Sequence, residues 1–416
     1  MNLFTNPTFV LAEMGREGFL PIKLMQTHQH YCNRLVQRFY LPPWLFGNRY
    51  LPTYHPEDYV KRVHSIGETN ATFGIIDPKT VIKNSLPCNI DSPDKLNSQP
   101  YGNYPYAFSD IPLLEIEPSW TATIYDCLIL RYQDKWKNDF YAIVSSDERS
   151  IAFPGVGYCP EHAKSLRRSK GCRDFEKGTW IFGMWYRNYY LWLTSYVPCL
   201  MLAVETGSAD DILFPGMMAL SAHNICTIEK LGIPMKHIMP CDEIVWHVDK
   251  LTLVYDGPYR GNRLREFRKI VSADSDRIPW RKVFVSREKA QKRCIVNQDE
   301  IWQVFKRYGW EKVCMEDLSF DDQINLMGET RAFSSSSGAG FGNIIFIPEG
   351  AHVFELCNDA IMSASFYALA CAMGHHYWLG KSTPVGQHAM PDYDHVVVDP
   401  HAVESVLDMI ESRLSV

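Results

Sequence analysis

The chain has no surplus of basic residues. Lysine and arginine total 42 against 48 aspartates and glutamates, a formal net charge of −6, and this argues against a general nucleic-acid binder, whose footprint is a basic domain. It also lacks paired cysteine spacing. Its 12 cysteines are scattered, without the pattern of a zinc ribbon or a small disulfide scaffold, so a reducing cytoplasm is the expected compartment. The opening segment MNLFTNPTFVLAEMGREGF lacks a charged start followed by an apolar core and cleavage site, which predicts no secretory leader. The longest apolar stretch, Ile181 to Val204, is broken by Arg187, Asn188 and Pro198. It therefore predicts a buried helix rather than a membrane span of about twenty clean residues.

What is present suits an ordinary globular protein. The 416 residues are 46% hydrophobic and 22% charged, enough for two or three domains with real cores. The first hundred residues are aromatic and proline-punctuated, as in Leu41-Pro42-Pro43-Trp44, with one predicted helix over Leu24 to Tyr40 and no function assigned. From Ile111 the pattern turns strand-like, with strands expected at Thr121 to Arg131 and Phe140 to Ser145. A basic loop follows, from Lys164 to Arg173, open to two readings: a solvated surface, or a seat for an anionic acceptor or an anionic membrane surface. Cys159, His162 and Cys172 amount to three ligands where a structural zinc takes four, so chance clustering is the better reading. An alternating block comes next: strand Trp180 to Gly183, helix Asn188 to Glu205, strand Asp211 to Phe214, helix Met217 to Leu231, strand His237 to Met239. Arg260, Arg263, Arg265, Arg268 and Lys269 then make a basic connector.

A second alternating block holds the functional signals. Strands are expected at Val283 to Val285, Val313 to Met315, Ala332 to Phe333 and His352 to Phe354. Asn297 three residues before Glu300, and Ser319 three before Asp322, have the spacing of helix N-caps, and Gly309 closes the first of these helices. Asn358 reads as the cap of a helix ending before Gly374. Asp399-Pro400 opens a last helix with an apolar stripe of Val403, Val406, Leu407, Ile410 and Leu414. The alternation predicts a parallel, doubly wound sheet, which binds ligands beyond the carboxyl ends of its strands. Ser286-Arg287, Glu316-Asp317 and the run Ser334 to Gly340 have that position. With no large side chains, the glycine run lets backbone amides approach a diphosphate, with Asn343 one turn into the next helix. The alternative is a plain tight turn with a serine-rich loop. No Asp-x-Asp pair stands beside it, so no metal or cofactor is expected.

The order Ser286-Arg287, Arg293 and Asn297, then Glu-x-Leu-Ser-x-x-x-Gln from Glu316 to Gln323, then Gly-Ala-Gly-x-x-Asn from Gly338 to Asn343, then Glu355, resembles glycosyltransferase family 61. WYRNYYLWL, Trp185 to Leu193, is similar to that family's Asn-Tyr-aromatic-His-Trp segment. The resemblance runs from about Glu115 to Glu355, with Leu191 and Ser337 where the family usually has histidine. It implies an α/β, GT-B-like fold: an extension over 1–110, an acceptor-side Rossmann-like domain over 111–260, a donor domain over 261–395, and a C-terminal helix over 396–416 that crosses back to the first domain. It also implies an inverting, metal-independent transfer from a nucleotide sugar, UDP-linked, to a glycan or polysaccharide acceptor. Arg287 would meet phosphate oxygens together with Ser286 and Arg293. The amides of Ser337, Gly338, Ala339 and Gly340 would add fixed donors, and Asn343 would stand behind them. Glu316 and Gln323 would fix ribose or base, and Glu355 would bind sugar or support Arg287. Trp185, Tyr186, Arg187 and Asn188 would lie on the acceptor side. Asp242, Glu243 and His223 are the candidates for the base. The readings from other classes are an inactive nucleotide-sugar-binding protein and a scaffold of a polysaccharide assembly.

Overall fold

The computed structural model describes residues 51–100, 106–134, 138–167, 172–183, 185–216, 220–272, 278–359, 363–386 and 394–415. The helix expected over Leu24 to Tyr40 and part of the basic loop, including Arg168 and Lys170, lie outside the described residues. In chain order the strands are β1 (Thr53–Tyr54), β2 (Thr72–Asp77), β3 (Thr80–Lys83), β4 (Leu113–Ile116), β5 (Ser119–Gln133) and β6 (Asp139–Ser145). There follow β7 (Ser150–Ile151), β8 (Arg173–Trp180), β9 (Ile212–Pro215), β10 (Ile238–Cys241) and β11 (Val245–Tyr255). The last are β12 (Arg281–Val285), β13 (Glu311–Val313), β14 (Thr330–Ser336), β15 (His352–Asn358), β16 (His376–Val385) and β17 (His395–Val398).

The chain divides into two compact units that interleave in sequence. One holds the described residues up to Pro78 with Pro118–Arg187 and Cys199–Asp256; the other holds Lys79–Glu117, Asn188–Pro198 and the chain from Gly257 onward. In the first unit a sheet runs β1-β7-β6-β5-β11-β8-β9-β10, with β2 on β5. Parallel pairing, expected from the alternation, holds for β11, β8, β9 and β10 and for the short pair β1 and β7. The strands β5, β6 and β7 pair antiparallel, because links of a few residues join only antiparallel neighbours. The strand expected at Trp180 to Gly183 ends where it should begin, at Trp180. A buried aromatic group, Tyr141, Trp180 and Trp246, sits on this sheet with ring centroids 5.3–5.9 Å apart.

In the second unit the sheet runs β13-β12-β14-β15-β16-β17, parallel throughout except for β17. Its central strands are buried on both faces, so they read as continuous apolar runs rather than alternations. The core forms where Phe284 stacks on Phe305 at 4.4 Å, with Trp310, Phe354 and Trp378 around them. Ser319 caps its helix as expected, accepting the Asp322 amide at 3.1 Å. Gly309 takes φ +72° to end the helix Gln298–Arg307, a backbone conformation that costs glycine little.

Three expectations about this unit are corrected. Asn297 gives no side-chain cap; its amide clasps Val398 instead, donating to the carbonyl at 2.8 Å and accepting the N–H at 3.1 Å, so it secures β17. Asn358 ends β15, and the following helix begins at Ser365. The last helix, Pro400–Leu414, does not cross back: Val403, Val406, Leu407 and Ile410 bury against Ile301, Val304 and Phe305 in the second unit's own core. Two amphipathic stripes within the same unit satisfy each other, which removes the need for a partner outside it. The basic connector is likewise structural. It forms the helix Gly261–Val271, and Arg260, Arg265 and Arg268 donate to the carbonyls of Glu117, Ala372 and Ile347 at 2.6–2.9 Å.

The docking of the last helix is testable. Leu407→Ala removes a fully buried side chain and is expected to cost about 2–4 kcal/mol, read as a lower urea midpoint. Glu404→Ala, which loses exposed pairs with Arg307 and His401, should change it by less than about 1 kcal/mol. Equal effects of the two would refute this packing.

Candidate functional site

The carboxyl edge of the parallel sheet is polar and yet buried. β14 opens on Thr330-Arg331-Ala332-Phe333 and closes on Ser334-Ser335-Ser336, and Ser334 to Ser337, Glu355 and Asn358 are all buried. Val285 is paired with Ser335, and Ser335 with Glu355. The residues after β12, β13 and β14 therefore share one edge. Short hydroxyls fasten the loops there: Ser335 Oγ donates to Val285 O at 3.0 Å, Ser336 Oγ to Arg293 O at 3.1 Å, and Ser286 Oγ to Gln298 Oε1 at 3.1 Å. Ser286 thus positions the loop.

Arg287 lies directly over Gly338, where any Cβ would collide with the guanidinium. That close approach explains the first glycine of the run. One Arg287 nitrogen donates to Lys292 O at 3.2 Å, while its Nε and the Nε of Arg293 are buried without a partner. Neither arginine forms an ion pair among the described residues. Burial, and then the neighbouring Arg293, lower Arg287 to about 10, so it remains charged at neutral pH. Arg293 itself sits at φ +59°, a left-handed conformation that a non-glycine residue holds at some cost. Two neighbouring guanidinium groups, each with a buried Nε lacking an acceptor and neither in an ion pair among the described residues, favour an anion here.

The backbone adds donors. The 3-10 helix Ala339–Phe346 starts after Gly338 and has no side-chain cap, so its first N–H groups lack partners within the helix. The expected cradle loses one member: the Ser337 amide donates to Leu356 O at 3.3 Å, leaving Gly338, Ala339 and Gly340. Ser337 Oγ turns inward to Glu355 Oε1 at 2.5 Å, and Tyr377 OH donates to Oε2 at 2.6 Å. Glu355 is 1% exposed, and burial lifts its pKa to about 7, against the opposing effects of those hydrogen bonds and of Arg293. It supports the turn from beneath.

A brace behind the turn was missed by the sequence reading, which put residues 185–188 together on an acceptor side. Asn188 belongs with the second unit and caps the following helix by accepting the Leu191 amide at 3.1 Å. Tyr189 OH then bonds Asn343 Oδ1 at 2.6 Å, and Leu193 and Tyr189 pack where a Cβ on Gly342 would stand, 3.2 and 3.5 Å away. Asn343 Nδ2 is buried without a partner. Gln323 is committed as well: Nε2 donates to Met315 O at 3.1 Å and Leu318 O at 3.3 Å, so it shapes the turn that presents the exposed Glu316. The readable signal was the Asn-Tyr pair at 188–189 together with the Asn five residues after Gly338.

The remaining candidates lie in the first unit. Tyr186 is buried against Phe182 and Phe214, and Arg187 donates to its hydroxyl at 3.1 Å while standing 3.6 Å from Asp139. Trp185 is exposed. Asp242 and Glu243 are exposed in the turn between β10 and β11; Glu243 pairs with Arg173 at 3.5 Å, and Arg131 holds the Asp242 carbonyl at 2.9 Å. His223 meets Ser221 Oγ at 2.9 Å, and burial lowers it to about 4. No hydrogen bond or ion pair joins these three among the described residues. Among those residues, too, no group of three or more His, Cys, Asp or Glu side chains is placed to hold a metal, and no helix is long and apolar enough to cross a membrane. Cys159 and His162 form a buried pair at 3.0 Å inside the fold.

Compared with known proteins, residues 189–354 match the family model described as Glycosyltransferase 61. Those bounds take in Tyr189 and Leu193 of the brace, both arginines, the glycine turn and the start of β15, and leave out Asn188 and Glu355. A mouse protein, EGF domain-specific O-linked N-acetylglucosamine transferase, is 35% identical over 92 residues. That match covers 20% of this chain and 17% of the mouse protein.

Glu355 gives this site a pH signature. An acid raised from 4.5 to about 7 keeps its proton in the folded state after the unfolded chain has lost it. Its contribution is therefore full below about pH 4.5, declines as pH rises to about 7, and is level above that, a change of up to about 3 kcal/mol. Glu355→Gln is neutral at every pH. The difference in urea midpoint between variant and wild type should shift in the variant's favour from pH 5 to pH 7 and stay constant from pH 7.5 to 9. A difference independent of pH would mean that Glu355 is ionised throughout.

Proposed function

We propose, for a chain whose residues 189–354 match the model of glycosyltransferase family 61, that the protein transfers a sugar from a UDP-linked donor to a glycan or polysaccharide acceptor, with inversion and without a divalent cation. The observation that carries this reading is the half-buried pair Arg287 and Arg293, each with a buried Nε that has no partner and neither in an ion pair among the described residues, beside the Gly338 turn. In glycosyl transfer, charge develops on the leaving diphosphate, and preorganised donors aimed at it lower the barrier. Arg287 presents a planar fork suited to two phosphate oxygens, and the amides opening the 3-10 helix complete the cradle. The parallel sheet is then the donor half of a GT-B type enzyme.

The single displacement needs a base. An acceptor hydroxyl gives its proton to a carboxylate, its oxygen bonds to the anomeric carbon, and the bond from that carbon to the diphosphate breaks, its electron pair leaving with the phosphate. We assign the base to Asp242. Glu243 is engaged by Arg173, and His223, lowered to about 4, is a weak proton acceptor at neutral pH. Trp185 offers an exposed ring for stacking on an acceptor sugar. The mouse relative is named for transfer of N-acetylglucosamine, which makes UDP-N-acetylglucosamine the first donor to test. The setting proposed is cytoplasmic, with the residues of the basic loop as a peripheral membrane contact.

Calorimetry with UDP tests the donor site. Arg287→Ala should weaken binding by about 1.5–3 kcal/mol, the scale of a hydrogen bond to a charged group, with little change in Tm. Lysine should restore only part of that affinity. Normal UDP binding by a variant that melts many degrees earlier would make Arg287 a structural residue and remove the donor site from this edge. Sugar transfer should also persist in EDTA; loss that manganese restores would overturn the metal-free mechanism. A protein that binds UDP yet never turns over a nucleotide sugar would support the inactive binding protein instead.

A further inference from the structure

Across the carboxyl edge of the second sheet, Glu316 follows β13, Arg287 follows β12, Gly338 follows β14 and Asp359 follows β15. Those four strands are neighbours in that order, so these residues mark successive positions along one edge, about 5 Å apart per strand. The register holds to the end of the strands: Ser336 pairs with Leu356 and Asn358 with Ser382, and the Asp359 amide donates to Ser382 O at 2.9 Å. The backbone of Asp359 is therefore fixed next to the Gly338 turn. The carboxylates along this edge fall into two kinds. Glu288 is held by Lys312 and Gln298, Asp317 by Lys289, and Glu355 by Ser337 and Tyr377. Glu316 and Asp359 are exposed and form no side-chain hydrogen bond or ion pair among the described residues.

An ionised carboxylate is a hydrogen-bond acceptor only. The ligand groups it suits are hydroxyls, and the group it repels is another carboxylate. With the diphosphate over Arg287 and Gly338, the two unengaged carboxylates flank it on opposite sides, as the two hydroxyl-bearing rings of a nucleotide sugar flank theirs. Glu316, on the β13 side, is assigned to the ribose.

We infer that Asp359 accepts hydrogen bonds from hydroxyls of the transferred sugar and makes the donor site selective for neutral sugars over uronic acids. This rests on the donor-site reading above. Lys381, on the adjacent strand, acts on Asp359 only through its field, so it leaves the carboxylate open to a ligand.

The test uses the full chain and calorimetry with three probes: UDP, UDP-N-acetylglucosamine and UDP-glucuronic acid. Asp359→Ala should bind UDP within about twofold of wild type and UDP-N-acetylglucosamine about tenfold more weakly, the loss expected for one charge-assisted hydrogen bond. Wild type should prefer UDP-N-acetylglucosamine to UDP-glucuronic acid, and Asp359→Asn, which removes the charge but keeps an acceptor, should narrow that preference. If UDP binds normally and the sugar makes no difference between wild type and variants, the role of Asp359 is refuted and the donor site stands. A variant that loses UDP in equal measure refutes it too, since the residue then serves the fold or the nucleotide. Failure of wild type to bind UDP at all overturns both.

Discussion

Everything at the carboxyl edge of the second sheet depends on seating two neighbouring arginines that form no ion pair among the described residues. Arg287 and Arg293 each leave a buried nitrogen without an acceptor, and such groups cost free energy that a folded chain bears only where something else repays it. The surroundings are built to keep them there. Gly338 gives up its side chain so that the Arg287 guanidinium can lie on the turn, and Arg293 accepts a left-handed backbone. Of the carboxylates nearby, Glu288 is tied to Lys312 and Asp317 to Lys289, while Glu316 acts on Arg287 through its field without forming an ion pair. A chain selected for stability alone would have let one of them neutralise an arginine.

The same logic explains the polar interior beneath the turn. Serines at 335, 336 and 337 each spend a hydroxyl on a neighbouring backbone or carboxyl group, and so the loops carrying the arginines are held by rigid strands. Behind the turn, Asn188, Tyr189 and Leu193 brace the 3-10 helix at Gly342 and Asn343. This is the layering expected of a binding site: groups that meet the ligand, and a second set whose work is to keep the first from moving.

Much of this was legible in the sequence, and where it was not the reason is physical. The parallel sheet followed from strand and helix alternation, and its loops at Ser286-Arg287, Glu316 and Ser337 to Gly340 stand where that alternation put them. Side-chain amides misled. Asn297, Asn188 and Gln323 carry a donor and an acceptor each, so sequence spacing alone does not say whether such a residue caps its own helix or clasps a distant strand. Asn188 caps; Asn297 and Gln323 clasp. The last helix was assigned to the wrong partner because an apolar stripe specifies that it must be buried and not against what. In the first unit, alternation suggested parallel pairing, but the short links among β5, β6 and β7 decide for a meander.

The two positions that depart from the family pattern can now be weighed together. Ser337 donates to Glu355, and the Leu191 amide is held by Asn188, so both replacements keep the local structure intact while removing groups that would titrate near neutral pH. The charge of the cradle then rests on the arginines, of which Arg287, lowered to about 10, stays protonated at neutral pH. Glu355 is the group that could undo this. Ionised, it would be an internal counter-ion close to Arg293, competing with any anion above it; burial raises it to about 7, and the neutral form leaves the guanidinium pair uncompensated. Burying that carboxyl thus serves the site twice, by anchoring Ser337 and by withholding a negative charge below about pH 7, and this accounts for a glutamate on a strand whose neighbouring side chains, Phe354 and Leu356, belong to the apolar core.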